Sequence, residues 1–255
     1  MDSLALLTDP AFAPPPAPDG PPGSLAWLRH GVARFASGPA HRRRRDLALE
    51  ALAPLDSKDL RVRAREGAAA VLAAAVGPVD VMDWIARDVP VGVLAAALGA
   101  PGADPGLVRT VAAAYPVGDS SPAADAAVVA LVDAFGGVAD EASAARIGLL
   151  VQTCEATAAL IGNTLRAKTA ARVAAVLGTD PPVLATFRQG PDGVRVRVDL
   201  AALPFGAGAH ACPGRDQALA LATGVCEALR HKHVLRIEEE PHPTLRMPSV
   251  LEVAP

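Results

Sequence analysis

Apolar turns rich in Ala, Val and Leu recur along this chain between short breaks of Gly and Pro, a pattern that predicts a succession of packed helices. The tract 1–23 opens with a short helix and runs into Ala13-Pro14-Pro15-Pro16-Ala17-Pro18 and Pro21-Pro22, where fixed φ angles predict an extended surface strap. Helices are expected over 25–36 and 41–55, the second after Gly38-Pro39. The pattern continues over 66–76, 79–98 and 104–114, broken at Gly77-Pro78 and at Gly99-Ala100-Pro101-Gly102. Residues 121–135 form a further Ala-rich helix, and 140–176 is long enough for one central helix and another behind it. Strand signals are confined to 183–188 and 194–198, joined by the turn Pro191-Asp192-Gly193, and to short stretches at 234–237 and 249–253 that predict a small terminal sheet. A last helix spans 217–231. The expected fold is mainly α with a small β part, in a single domain over 1–255.

Composition narrows this picture. Of 255 residues, 51% are hydrophobic, enough to bury one sizeable core or two small ones. Aromatics make up only 3%, so Ala, Val and Leu must build that core, which suits close-packed helices. A formal net charge of −3 gives no global reason to expect nucleic acid as a partner. Cys154, Cys212 and Cys226 are odd in number and lack a CxxC pair, which disfavours disulfides and zinc and fits a reducing cytoplasm. The N-terminal stretch has neither the basic region nor the apolar run of a signal peptide, and no membrane span is expected.

Candidate chemistry concentrates in Pro204-Phe205-Gly206-Ala207-Gly208-Ala209-His210-Ala211-Cys212-Pro213-Gly214, which sets one cysteine on a glycine-rich loop directly before an apolar helix. The glycines let backbone approach a large flat cofactor, and amides turned toward a thiolate can tune its charge, so the loop suits iron. It resembles the heme-binding signature of the cytochrome P450 family, Phe-x-x-Gly-x-x-x-Cys-x-Gly. Phe205, Gly208, Cys212 and Gly214 match its fixed positions, and His210 stands where many bacterial members carry histidine. The resemblance implies heme b as cofactor, with Cys212 as the axial thiolate to its iron.

Three further segments extend the resemblance. In His41-Arg42-Arg43-Arg44-Arg45-Asp46 a spacing of four puts His41 and Arg45 on one helical face, where two donors can meet carboxylates or phosphates together. Alone, the run reads equally as a solvated charge run or a nucleic-acid patch. The family carries a His-x-x-x-Arg segment at this helix start that pairs with heme propionates, which implies that role for His41 and Arg45 and leaves Arg42, Arg43 and Arg44 for an acidic redox partner or water. Asp180-Pro181-Pro182 enters a strand ending at Arg188, similar to the family's strand whose Arg binds a propionate; Arg188 and His210 would complete a four-residue cradle. Residues 149–163 resemble the distal helix that crosses the oxygen-binding face. There Glu155 falls at the family's acid, Gln152 and Thr153 replace its small pair, and Ala156 stands where its threonine belongs. Thr157 is one residue later, about 100° around the helix, and cannot simply substitute. Gln152 is expected to offer an amide to the distal pocket, and each of these polar side chains serves equally well as helix-face packing.

Departures from the pattern matter as much. No glutamate lies between Glu155 and Glu227, so the family's Glu-x-x-Arg brace is absent, and 188–205 is too short for its usual sheet and meander. Residues 4–12 resemble the family's second helix, implying that the first helix and opening strands are missing, and 99–140 is compressed where lid helices would lie.

The resemblance implies a heme-thiolate oxidoreductase, monooxygenase-like, acting on a small organic and biosynthetic substrate, with a ferredoxin-type electron donor or peroxide as co-reactant. Loss of the relay threonine keeps open a heme-thiolate enzyme of different chemistry: peroxide-dependent oxidation, dehydration, rearrangement or cyclisation. A non-catalytic helper of similar fold is a third class, against which retention of Cys212 argues. Self-association as a homo-oligomer is expected where a shortened scaffold leaves apolar faces.

Overall fold

The structure, a computed structural model, describes residues 1–116, 121–167 and 173–254. Its helices are α1 (Ser3–Thr8), α2 (Leu25–Gly31), α3 (Gly38–Leu52), α4 (Ser57–Ala74), α5 (Asp88–Ala97), α6 (Pro105–Ala114), α7 (Pro122–Ala134), α8 (Glu141–Arg166), α9 (Val173–Thr179) and α10 (Arg215–Leu229). Strands β1 (Val79–Asp80), β5 (Pro248–Val253) and β4 (Val234–Glu239) form an antiparallel sheet in that order, and β2 (Ala185–Gln189) and β3 (Arg195–Asp199) form a separate hairpin. Mainly α with a small β part is therefore the observed class.

Side chains that favour helix starts stand where the helices begin. Asp2, Ser24, Asp56, Asp104, Ser121 and Asp140 each accept from an amide of the first turn of α1, α2, α4, α6, α7 and α8. At α8 the cap is reciprocal, because Ser143 Oγ also accepts from the Asp140 amide at 3.0 Å. Helix α8 runs through the centre, packed by α2, α3, α5, α6, α7 and α10. Leu28, Ile85, Leu131, Ile147, Leu150 and Ile161 are wholly buried around it, each contributing roughly 1.5–3 kcal/mol of transfer free energy. By length and composition α8 could cross a membrane, but 72% of its apolar window is buried inside the protein.

Two of the close contacts made by helices rely on glycine. A side chain at Gly224 of α10 would put its Cβ 2.1 Å from the Arg61 carbonyl oxygen of α4, and one at Gly148 of α8 would lie 2.7 Å from Val32. A smaller apolar cluster of Leu7, Val198 and Leu200, flanked by Leu203 and Ala207, ties α1 to β3 and the cysteine loop. The proline-rich strap is anchored too: Ala13 and Gln189 exchange backbone hydrogen bonds at 3.2 and 2.7 Å, and Ala17 is buried.

Several elements differ from the sequence expectation for identifiable reasons. Helix α4 begins at Ser57 rather than residue 66, because its inward stripe of Leu60, Ala64, Ala68 and Leu72 relies on small alanines within a charged run. Residues 79–98 are not one helix. Val79 pairs with Val253, and Asp80 Oδ1 accepts from the amides of Met82 and Leu251 at 3.0 and 3.2 Å, which starts a strand. A π-helical stretch, Met82–Ala86, then leads into α5. The helix expected over 25–36 stops at Gly31; Val32 is extended, and Ala33–Phe35 makes a single 3-10 turn. Of the second helix expected before residue 176, α9 begins at Val173, and 168–172 lie outside the described residues.

Candidate functional site

The cysteine loop is a tight backbone structure. Gly206 and Gly208 adopt left-handed φ of 69° and 68°, and the amides of Gly206, Ala211 and Cys212 donate to the carbonyls of Leu203, Gly208 and Phe205 at 2.7, 3.1 and 2.9 Å. Gly208 is required twice over, since a Cβ there would also lie 2.7 Å from the Leu7 carbonyl oxygen of α1. Gly214 leads directly into α10, and the Arg215 guanidinium sits 5.2 Å from the centre of the Phe205 ring.

Of the three cysteines, Cys154 is buried, Cys226 half-buried and Cys212 exposed. Burial pushes the first two thiols up to about 12, which makes them inert. Cys212 has an open surface, yet enough protein crowds it that desolvation is the largest influence and raises its thiol. The Gly214 amide and the charges of Arg45, Arg34 and Arg215 oppose that rise. Arg45, Arg34 and Arg215 are therefore near enough to the sulfur for their charges to act on it.

Helix α3 lies against the cysteine loop. Arg45 Nη1 donates to the Ala211 carbonyl at 2.8 Å, next to Cys212, and one turn earlier the His41 ring lies 3.9 Å from that of His210. From β2, Arg188 enters the same cluster; its Nη1 donates to the Phe187 carbonyl at 3.0 Å. His41 and Arg188 are each only 5% exposed, and His41 Nε2 and Arg188 Nε have no hydrogen-bond partner. Among the described residues no carboxylate comes within ion-pair distance of His41, Arg45, Arg188, His210 or Arg34. Desolvation first, then His41, Arg188 and Arg45, push His210 down to about 3. His41 is lowered by burial and then by Arg45 and Arg42, and Arg188 by burial and then by Arg34. Buried polar atoms left without a partner, as His41 Nε2 and Arg188 Nε are among the described residues, are costly unless another group meets them. A heme fits this arrangement: a soft thiol for its iron and donors for its carboxylates.

Arg43 and Arg44 do not join this set and are not free for a partner. Both donate to Glu141 at the start of α8, Arg43 Nε at 2.7 Å and Arg44 Nε at 2.8 Å, which clasps α3 to α8. Arg42 stays outward and exposed.

Mid-helix, α8 opens to the surface. Between buried turns on either side, Gln152 is exposed and Thr153, Glu155 and Ala156 are half-exposed. The Gln152 amide donates back to the Gly148 carbonyl at 2.9 Å, and Glu155 accepts from Arg87 Nε at 2.9 Å. Thr157 is 2% exposed and points into the core, away from Gln152 and Ala156.

Sequence spacing missed Arg34, which carries no motif. It sits on the 3-10 turn beside Val32, and its charge acts on Cys212, Arg188 and Tyr115.

No protein-family model matches this chain, and no curated protein matches it in sequence. Solved structures do. P450BioI, determined in complex with an acyl carrier protein carrying hexadec-9Z-enoic acid, aligns at 18% identity over 99% of this chain and 89% of that one, with a TM-score of 0.73. The P450 monooxygenase TamI aligns at 19% identity over 99% and 82%, with a TM-score of 0.74. The cytochrome P450 enzyme CYP109B1 from Bacillus subtilis aligns at 16% identity over 100% and 91%, with a TM-score of 0.69. These likenesses show that the chain has a cytochrome P450-like fold.

Proposed function

We propose that this chain binds heme through the Cys212 thiolate and works as a P450-type oxidoreductase, monooxygenase-like, on a small organic substrate of biosynthetic origin in the cytoplasm. The observation that carries this reading is the cluster beside Cys212, which among the described residues has no carboxylate in ion-pair distance and leaves Arg188 Nε and His41 Nε2 buried without partners. The P450-like fold supports it.

Heme, when bound, supplies redox chemistry at a thiolate-ligated iron. The protein's own part begins at Cys212. Desolvation raises its thiol, while Arg45, Arg34, Arg215 and the Gly214 amide oppose that rise and would favour the thiolate that an iron ligand requires. Arg45 and Arg188 would hold the cofactor's carboxylates by charge-assisted bonds, and His41 and His210, neutral in this setting, would each add an N–H donor. The α8 opening at Gln152–Ala156 would bound the substrate side, where the Ala156 methyl offers an apolar contact. Titration of the purified chain with hemin is expected to reach equimolar uptake; a protein that takes up none overturns the reading.

A second reading draws on the α8 opening itself. Gln152 is spent on Gly148, Glu155 on Arg87, and Ala156 has no proton to give. That set favours peroxide-dependent oxidation, dehydration, rearrangement or cyclisation over proton-coupled oxygen insertion. Turnover compared with a ferredoxin system, with peroxide and with neither separates the two; product formed with neither excludes monooxygenation.

A further inference from the structure

We propose that His242 is a pH-sensitive latch: its neutral ring closes the turn between β4 and β5 that buttresses the entry to β2, and protonation of that ring opens the turn. The proposal goes beyond the heme-thiolate reading and does not depend on it.

The turn has the sequence Glu240-Pro241-His242-Pro243-Thr244-Leu245. Pro241 and Pro243 have no amide proton, so backbone donors that usually close a tight turn are missing. An imidazole supplies the closure instead. His242 Nδ1 accepts from the amides of Thr244 at 3.2 Å and Leu245 at 2.9 Å, the next two donors along the chain. An asparagine side chain caps its own turn in the same way. A ring nitrogen that accepts twice carries no proton, so the neutral ring holds its hydrogen on Nε2. Protonating Nδ1 sets a donor against two donors, and both bonds are lost.

What the turn supports lies directly beyond it. The Thr244 carbonyl accepts from the Leu184 amide at 2.8 Å, the Arg246 amide donates to the Pro182 carbonyl at 2.9 Å, and Leu245 bridges to Val183. Residues 182–184 feed into β2, the strand that carries Arg188. Past the turn the chain is fixed to α8, where Asn163 Nδ2 donates to the Arg246 carbonyl at 2.9 Å. Opening the latch therefore takes support from β2 while the root of the segment stays held.

His242 is exposed enough for protons to reach it. Partial burial is still the larger influence and holds the imidazole below its ordinary 6.5, against the charge of Glu155 on α8, which is itself bonded to Arg87. On the flanking segments Asp180 is shared by Arg166 and Arg246, Glu239 is tied to Arg166, and Glu240 is exposed. For a histidine whose folded pKa is lowered, the stability of the closed turn is complete above the ordinary value and is lost as pH falls below it.

The test is hydrogen exchange of the full chain at about pH 7.5 and about pH 5.5, read as the protection of single amides corrected for the intrinsic pH dependence of exchange. The Thr244 and Leu245 amides are expected to lose protection roughly tenfold at the lower pH, as one pH unit below the ordinary value dictates, and the Leu184 amide to follow them. Amides of α8 should keep theirs. His242→Asn, which can cap the turn without titrating, should hold Thr244 and Leu245 protected at both pH values, and His242→Phe should leave them unprotected at both. Protection that does not change with pH in the unaltered chain overturns the proposal. So does a His242→Asn variant that still loses protection in acid, because another group would then be titrating. Loss of α8 protection alongside the turn also overturns it, by showing general acid unfolding, and a Leu184 amide that stays protected once the turn opens refutes the buttress.

Discussion

Arg188 keeps a full positive charge 95% out of solvent with no internal acceptor for its Nε proton, a placement that costs stability unless something else gains from it. The cost falls on the protein alone and the gain on the complex. Arg188→Met is therefore expected to leave the thermal midpoint of the hemin-free chain unchanged or raised, while weakening hemin binding roughly tenfold or more. Thermal unfolding and a hemin titration on the same variant check both halves; a lowered midpoint with normal hemin affinity would mean that Arg188 is purely structural. At this scale the motif residues were legible, because His41, Arg45, His210 and Cys212 have fixed spacings that a single helix turn or loop converts into proximity. Arg34 was not: a lone arginine before a glycine-proline break has no spacing to read. Nor was the fate of Arg43 and Arg44, whose partner Glu141 lies 98 and 97 residues away.

Helices α3 and α8 meet through that Glu141 clasp, which orients the helix bearing His41 and Arg45. Hydrogen bonds from Arg43 and then Arg44, against opposing desolvation, hold Glu141 down to about 2 from an ordinary 4.5. A carboxylate whose folded pKa is depressed contributes stability that is complete above its unfolded pKa and is lost as pH falls through the folded one. The window is therefore from about 4.5 down to about 2. Glu141→Gln should cost about 1 kcal/mol near neutral pH, solvent screening included, with the gap to the unaltered protein narrowing toward about pH 2. Urea midpoints at the two pH values test this, and a gap that stays constant would show that Glu141 acts by shape alone. Among elements, helices with a polar cap and strong apolar spacing, such as α6 and α7, were readable to within a residue. Elements that depend on distant partners were not: β1 exists because Val79 meets Val253, and the inward stripe of α4 is largely alanine, which barely differs in hydropathy from its surroundings.

For the molecule as a whole, the structure supplies what the missing Glu-x-x-Arg motif left open, namely how the cysteine loop is held. It is pinned by α1 against Gly208 and by α3 twice, through Arg45 on Ala211 and through the tilted packing of the His41 ring on that of His210, contacts from two helices far from the loop in sequence. The P450-like fold was legible from four motifs in the right order, whereas this bracing was not, since it rests on close approach of backbones rather than on any residue pattern. The central claim is that Cys212 binds heme iron as a thiolate. The most direct measurement is the carbon monoxide difference spectrum of the reduced, hemin-loaded protein. The strongly red-shifted Soret band of thiolate ligation is expected, and Cys212→Ser should abolish it while Cys154→Ser and Cys226→Ser leave it in place. A loaded protein whose band stays at the position of a neutral axial ligand, or does not respond to Cys212→Ser, would contradict the account.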